Sequence, residues 1–446
     1  MKSIIDNGIF IAKTLQIISW AWFQYKMNLR SKLSCIKYVA SELSAINPLY
    51  IKILQSLATN GALFSIQERE YLVQYTDDVP YDSKNLDESF REHLPTTEII
   101  CGAVPIKAGT VAVVYEGELV ADPPKKIVVK VLRKNIQQDL LKALSEIETL
   151  LRCINWIPVT KAMNIVSIIE ENRTALLSQT NFKQEIENIE RMQEQCKHTD
   201  YVKIPKVYKK YTESCPEMIV MEYIEGKRIE DVSTASTEIY SKLLAQFQIK
   251  TTLFNRFYHG DLHSGNIIFI GDNDNSTDND KGTDNDNSKN SDDDIAKYKL
   301  GIIDFGLMGE ASQHEQEVIY NLLKSLENKI NNGYDTSVLV LDSLTEPAHI
   351  VKTMSPKDRK IIINALQKVV EEAIYGENGL QSEHLYGINK CLIKYKLCLA
   401  RFFCKMHMAM MAIDSVTHRL NSRQSHLQNL RMASDEIFSQ NDILNI

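Results

Sequence analysis

A chain of 446 residues that is 44% hydrophobic and 24% charged has the apolar content for two or three domains' worth of core. Its formal net charge is −7, and residues 271–297 alone hold nine aspartates against three lysines, so the remainder is near −1 and lacks the basic excess that would point to nucleic acid. Eight cysteines with no C-x-x-C pair argue against a disulfide framework or a thiolate zinc site and for reduced thiols in a reducing, intracellular compartment.

The N-terminal run "GIFIAKTLQIISWAWF" is interrupted by Lys13 and Gln16 and is short for a bilayer span, which needs about 20 apolar residues. Helical spacing puts Ile4, Ile11, Leu15, Ile18 and Trp22 on one face. From residue 7 to 41 there is no Asp or Glu, whereas Lys13, Lys26, Arg30, Lys32 and Lys37 are basic. Such a segment suits an anionic membrane surface, and equally a helix docked on the rest of the protein. It lacks the cleavage site of a secretory signal; an organelle transit peptide stays open.

Residues 43–77 read as helical and close at "DDVP". "GTVAVVYEGEL" and "KKIVVKVL" are β-branched runs separated by "VADPP", which predicts a hairpin. Helical periodicity returns over 136–200, "MIVMEYIEG" reads as a buried strand entering a loop, and the chain from 311 onward is mostly helical with a break at "GENG", Gly376 to Gly379. The Asp/Asn-rich stretch 271–297 is expected to be a disordered loop, since it has too little apolar surface to offset its ordering entropy. Its alternating aspartates fail the calcium-loop pattern, which needs a turn Gly and a closing Glu. It separates two strand-like runs, "NIIFI" and "KLGIIDFG", as an insertion at a hairpin tip would.

Chemistry concentrates around that hairpin. "HGDLHSGN" precedes the first strand and "DFG" follows the second. Phosphoryl transfer needs one group to orient the acceptor and oxygen ligands to hold Mg²⁺ against the phosphates. The order H-x-D-x-x-x-x-N then D-F-G fits Asp261 as the base and Asn266 and Asp304 as metal ligands. His259 and His263 are four apart but lack the Glu of a zinc-binding H-E-x-x-H. Lys130 in "IVVKV" offers the phosphate cation, Glu185 in "NFKQEIENIE" the acid that positions it, and "VMEYIEG" a hinge whose backbone at Glu222 and Ile224 can meet adenine. The expected ligands are ATP and Mg²⁺.

These motifs together resemble the UbiB-like atypical kinases, also called ADCK or aarF-domain kinases, over roughly residues 30–430. "YIKILQSLATNGALFSIQEREYLVQYTDDVP" is similar to the family's K-x-G-Q stretch ending in D-D-V-P, "PIKAGTVAVVYEG" to its Ala-rich nucleotide loop, and "HGDLHSGN" to its H-G-D-x-H-P-G-N. The last motif is shared with small-molecule kinases; the stretch 49–80 separates the two. The resemblance implies a kinase-like fold in which Lys52 and Gln55 reach the active site, Ala108, Gly109 and Thr110 form the nucleotide loop, and the activity is ATP hydrolysis or phosphoryl transfer in ubiquinone-like isoprenoid lipid biology. Three departures stand out: Leu54 replaces the Gly of K-x-G-Q, Gln179 and Asn181 replace the family's two acids, and Gly109 beside Lys107 brings the Ala-rich loop closer to an ordinary kinase's glycine-rich one.

The expected architecture is therefore α+β: a protein-kinase-like two-lobed fold with an N-terminal helical extension and a mostly helical C-lobe. The expected segments are an amphipathic helix at 1–40, the helical extension at 41–100, an N-lobe at 101–225 and a C-lobe at 226–446 carrying the 271–297 insertion. A protein or small-molecule kinase, and an ATP-gated scaffold for a lipid-synthesis complex that transfers no phosphate, are the competing readings; the acceptor is not encoded in the motifs. The location expected is cytoplasmic or at a membrane surface.

Overall fold

The computed structural model describes residues 2–47, 49–50, 52–53, 68, 71–72, 86, 88–154, 173–271, 297–327, 332–375, 382–420, 429–430 and 433. The chain divides into two compact units, Met1–Asn188 with Lys206–Tyr223 (unit 1) and Ile189–Pro205 with Ile224–Ile446 (unit 2).

Unit 1 is built on a five-stranded antiparallel sheet. Strands β1 (Ile99–Cys101), β3 (Ala112–Leu119), β4 (Lys125–Leu132) and β6 (Met218–Glu222) lie side by side in that order, and β2 (Lys107–Ala108) pairs with β3. The predicted hairpin is β3–β4, in register from Ala112↔Leu132 to Leu119↔Lys125. Two-residue alternation puts Val113 and Tyr115 of β3 with Ile127, Val129 and Val131 of β4 into one core, with Phe90 and Val220. Lys130, one residue out of phase, belongs to the opposite face of the sheet.

Helices complete the unit. Helix α1 (Lys2–Lys26) packs on α2 (Lys32–Ile46), which Ser31 caps by accepting from the Ser34 N–H, and on α3 (Ile136–Ile154). Helix α1 docks on its neighbours through one stripe. Phe10, Thr14 and Ala21 are buried along one stripe, whereas Leu15, Ile18 and Trp22 of the predicted apolar face stand exposed, with Trp20 and Phe23 beside them. Helix α4 (Phe182–Gln195), whose residues from Ile189 onward fall in unit 2, begins at Asn181, whose side chain accepts from the Gln184 N–H at 3.2 Å. One of the two amide-for-acid departures thus serves as a helix cap.

Unit 2 contains a three-stranded sheet, β5 (Val202–Lys203), β9 (Lys299–Ile302) and β8 (Ile267–Ile270), in which β8 and β9 form the second predicted hairpin. Strands β7 (Phe257–His259) and β10 (Met308–Glu310) make a separate antiparallel pair. Helix α5 (Thr237–Ile249) runs on into a π-helical turn, Lys250–Phe254. Helices α6 (Gln313–Glu327), α7 (Asn332–Ser343), α8 (Ala348–Thr353), α9 (Pro356–Tyr375), α10 (Ser382–Ile393) and α11 (Arg401–Leu420) account for the helical second half. A capping box starts α6: Ser312 Oγ accepts from the Glu315 N–H, and the Glu315 carboxylate accepts from the Ser312 N–H. Leu341, Leu344, Ile362, Leu366 and Leu392 fill the core among these helices. Residues 272–296 and Gly376 to Gly379, the expected loop and break, lie outside the described residues. The described cysteines are free thiols, and among the described residues no helix is long and apolar enough to cross a membrane.

Candidate active site

Unit 1 brings Lys130 and Glu185 together. Strand β4 presents Lys130, the first turn of α4 presents Glu185, and Nζ donates to Oε1 at 2.6 Å. The two side chains are only 11% and 1% exposed. Phe182, one turn before Glu185, places its ring 5.5 Å below the ammonium. A buried cation held by both a carboxylate and an aromatic face is fixed in position, which a phosphate-binding lysine requires.

The nucleotide-loop candidates sit between β2 and β3. Ala108 is a strand residue paired with Val113, so the turn proper begins at Gly109. The Gly109 N–H donates to the Ala112 carbonyl at 2.9 Å, and a Cβ there would make an ordinary 3.5 Å contact. Neither backbone angle nor packing demands glycine here. Thr110 is buried. Arg133, which the motif reading missed, ties this turn to the end of β4: its Nε donates to the Gly109 carbonyl at 2.8 Å and its N–H to the Val111 carbonyl at 3.0 Å. Burial pushes the Arg133 guanidinium below its ordinary value. A lone arginine closing an apolar strand was the available signal.

At the hinge, the Glu222 N–H donates to the Lys206 carbonyl at 2.8 Å, so an adenine contact from Glu222 has only its carbonyl to draw on. Ile224 is buried in unit 2. Lys52 lies on a helical turn with buried Leu49, Tyr50 and Ile53. That turn is anchored by Tyr50, whose hydroxyl donates to the buried Glu146 carboxylate on α3 and whose ring lies 4.7 Å from that of Phe10 on α1. Burial and then Glu146 push the Tyr50 phenol far above its ordinary range. Gln55 and Leu54 lie outside the described residues.

Unit 2 gathers the other three candidates. The β8–β9 register pairs Ile267 with Ile302, and the Ile303 N–H donates to the Asn266 carbonyl at 3.1 Å, so Asn266 and Asp304 leave the hairpin at the same end. The Asn266 amide nitrogen donates to the Asp261 carbonyl at 2.9 Å, so Oδ1 is the acceptor atom of the side chain. Asp304 Oδ1 accepts from the Gly306 N–H at 3.0 Å, an Asx turn that fixes the carboxylate. One amide oxygen and one oriented carboxylate are the hard donors that Mg²⁺ selects, so these residues fit the ion.

His259 links the acids. Its Nδ1 accepts from the Asp261 N–H at 3.1 Å and its Nε2 donates to the Asp304 carbonyl, so the ring is a neutral Nε2–H tautomer. Burial holds its pKa below the ordinary histidine value. His263 Nδ1 accepts from the Gly265 N–H at 3.1 Å, and its Nε2 lies 3.2 Å from Asn266 Nδ2 and 3.9 Å from Asp261 Oδ2. Both histidines shape the loop. Gly260 is fixed by packing: its N–H donates to the Leu307 carbonyl at 2.8 Å, and a Cβ would lie 3.0 Å from Leu307 Cγ.

The chain resembles known proteins in sequence. A family profile described as the ABC1 atypical kinase-like domain matches residues 87–335. Proteins named "Probable protein kinase UbiB" are similar: that of Aeromonas salmonicida is 28% identical over 235 residues, covering 50% of this chain and 42% of the relative. The Shewanella sp. protein is 25% identical over 270 residues, covering 58% and 48%. The matches thus span under half the length of these relatives. Two solved structures are similar at low level. The complex of Rv3197 with erythromycin from Mycobacterium tuberculosis has a TM-score of 0.47 at 16% identity, covering 90% of this chain and 97% of that one. The Rio2 kinase–ADP/Mg²⁺–phosphoaspartate complex from Chaetomium thermophilum scores 0.27 at 11% identity, covering 78% and 95%. The profile match covers more than half of the chain, and on that ground, with an α+β kinase-like fold, this chain belongs to the ABC1 atypical kinase-like family.

Proposed function

We propose that the chain binds Mg-ATP and hydrolyses it or transfers its γ-phosphoryl group, in the service of isoprenoid lipid metabolism of the ubiquinone type. The constellation of Asp261, Asn266 and Asp304, tied together by His259 and the β8–β9 register, supports this reading best. Lys130, held by Glu185, steadies phosphate charge, with the turn at Ala108, Gly109 and Thr110 beside the phosphates and Glu222 and Ile224 toward adenine. Lys52 and Gln55 approach the acceptor side. Asp261 orients the attacking hydroxyl or water and accepts its proton. Asn266 Oδ1 and the Asp304 carboxylate hold Mg²⁺, which when bound neutralises the phosphate oxygens. Asp304→Asn tests the assignment, because the amide oxygen can still accept from the Gly306 N–H while the ligand charge is gone. Nucleotide at 100 times its Kd stabilises a protein by about 2.7 kcal/mol. The wild type gains this in a thermal shift assay only with Mg²⁺ present, and the variant loses the Mg²⁺ dependence. Equal gains in both proteins would remove Asp304 from the metal site.

The partner we propose besides ATP is an anionic membrane surface, met from a reducing compartment. Trp20, Trp22 and Phe23 are 50%, 61% and 44% exposed on α1, in a segment free of acidic residues. Aromatic rings beside lysines are the composition of an interfacial helix. The docked stripe of Phe10, Thr14 and Ala21 is separate, so the triple variant Trp20→Ser, Trp22→Ser, Phe23→Ser leaves folding intact. It reduces sedimentation with anionic vesicles more than about tenfold, a buried ring being worth roughly 1.5–3 kcal/mol. Unchanged sedimentation would exclude this face.

A further inference from the structure

The loop Asp261–Asn266 is bonded to itself at most points: Asn266 to the Asp261 and His263 carbonyls, Gly265 to the His263 ring. Its apex is held from outside. Arg419, in the last turn of α11, donates from Nη1 to Ser264 Oγ at 2.8 Å and from Nη2 to Glu230 Oε1 at 2.6 Å. Arg228 adds a bond from Nη1 to the Gly265 carbonyl at 3.0 Å. Arg419 lies 84 residues beyond 335, where the family match ends.

Ser264 stands where the H-G-D-x-H-P-G-N pattern has proline. The site is still shaped for proline. His263 is extended at φ −87° and ψ 171°, the conformation a following proline favours, and Ser264 opens a 3₁₀ turn, where a ring costs no hydrogen bond. Among the described residues the Ser264 N–H makes no hydrogen bond. A proline would restrict this turn through its ring; serine leaves it freer. The arginine fork supplies from another helix the restraint that the ring would have given.

We propose that Arg419 is a positioning residue for the Asp261–Asn266 loop, oriented by Glu230 and acting through Ser264, so that helix α11 forms part of the site. The proposal rests on the Mg-ATP reading only for what the loop does, not for how it is held. The ion pair with Glu230 is partly exposed and by itself adds little stability; its effect is on loop geometry.

Hydrogen exchange on the full chain tests it. Arg419→Ala accelerates exchange of the Gly265 and Asn266 amides by about tenfold, the loss of one hydrogen bond's restraint, while amides of α5 and α9 are unchanged. Ser264→Ala, which removes the same bond from the other side, reproduces the effect and carries the test alone should Arg419→Ala fold poorly. Ser264→Pro added to Arg419→Ala restores slow exchange and returns the Mg²⁺ concentration for half-maximal nucleotide binding to the wild-type value. Unchanged exchange in the single variants would overturn the proposal. So would acceleration in Arg419→Ala that Ser264→Ala does not share and Ser264→Pro does not reverse, since Arg419 would then act by packing α11. Failure of the nucleotide reading shows separately, as no Mg-ATP binding by the wild type, and leaves the exchange result standing.

Discussion

Replacing Lys130 with alanine costs unit 1 about 3–5 kcal/mol in urea denaturation, the range for stripping one partner from a buried ion pair, and abolishes ATP binding. The reason is burial. Glu185 was desolvated with an ammonium 2.6 Å away, and without it the carboxylate must ionise in a poor environment or take up a proton. The double variant Lys130→Ala, Glu185→Gln therefore recovers part of the stability and none of the binding. Stability lost equally in the single and double variants would mean that packing on Phe182, not charge, holds the lysine.

Asp261→Asn has the opposite profile. It lowers the turnover of ATP about 10²–10⁴-fold, the range for removing a general base, and leaves stability and Mg-ATP binding near wild type. Two of the bonds that tie residue 261 into the loop, from its N–H to His259 and to its carbonyl from Asn266, use backbone atoms that the substitution preserves. ADP release measured with and without lipid and detergent provides the assay. Turnover that survives the substitution would assign hydrolysis to another group, and no turnover in the wild type would favour the ATP-gated scaffold.

What could be read from the sequence follows the range of the interactions involved. Lys130 and both hairpins were legible because β-branched residues at period two announce strands locally. Asp261, Asn266 and Asp304 were legible because the two motifs flank one hairpin, and strand pairing does the rest. The β7–β10 pair was not, since three residues each of "FYH" and "MGE" carry no period. Tyr50 with Glu146 and Arg419 with Ser264 are 96 and 155 residues apart, and no local pattern encodes such partners. The face that α1 buries was missed for a physical reason too: a 25-residue helix with apolar residues around most of its girth offers several candidate stripes, and its neighbours select Phe10, Thr14 and Ala21.

The rungs from Ile267↔Ile302 to Ile270↔Lys299 fix the β8–β9 ladder before the chain reaches Gly271, whose φ of 94° turns it away from the sheet. The alignment of Asn266 with Asp304 is thus settled at one end of the ladder, roughly 10 Å from the other at 3.3 Å per residue. A fluorescent reporter or epitope tag spliced between Gly271 and Lys297 therefore enters at the end of the ladder opposite Asn266 and Asp304, and is expected to leave nucleotide affinity at the wild-type value.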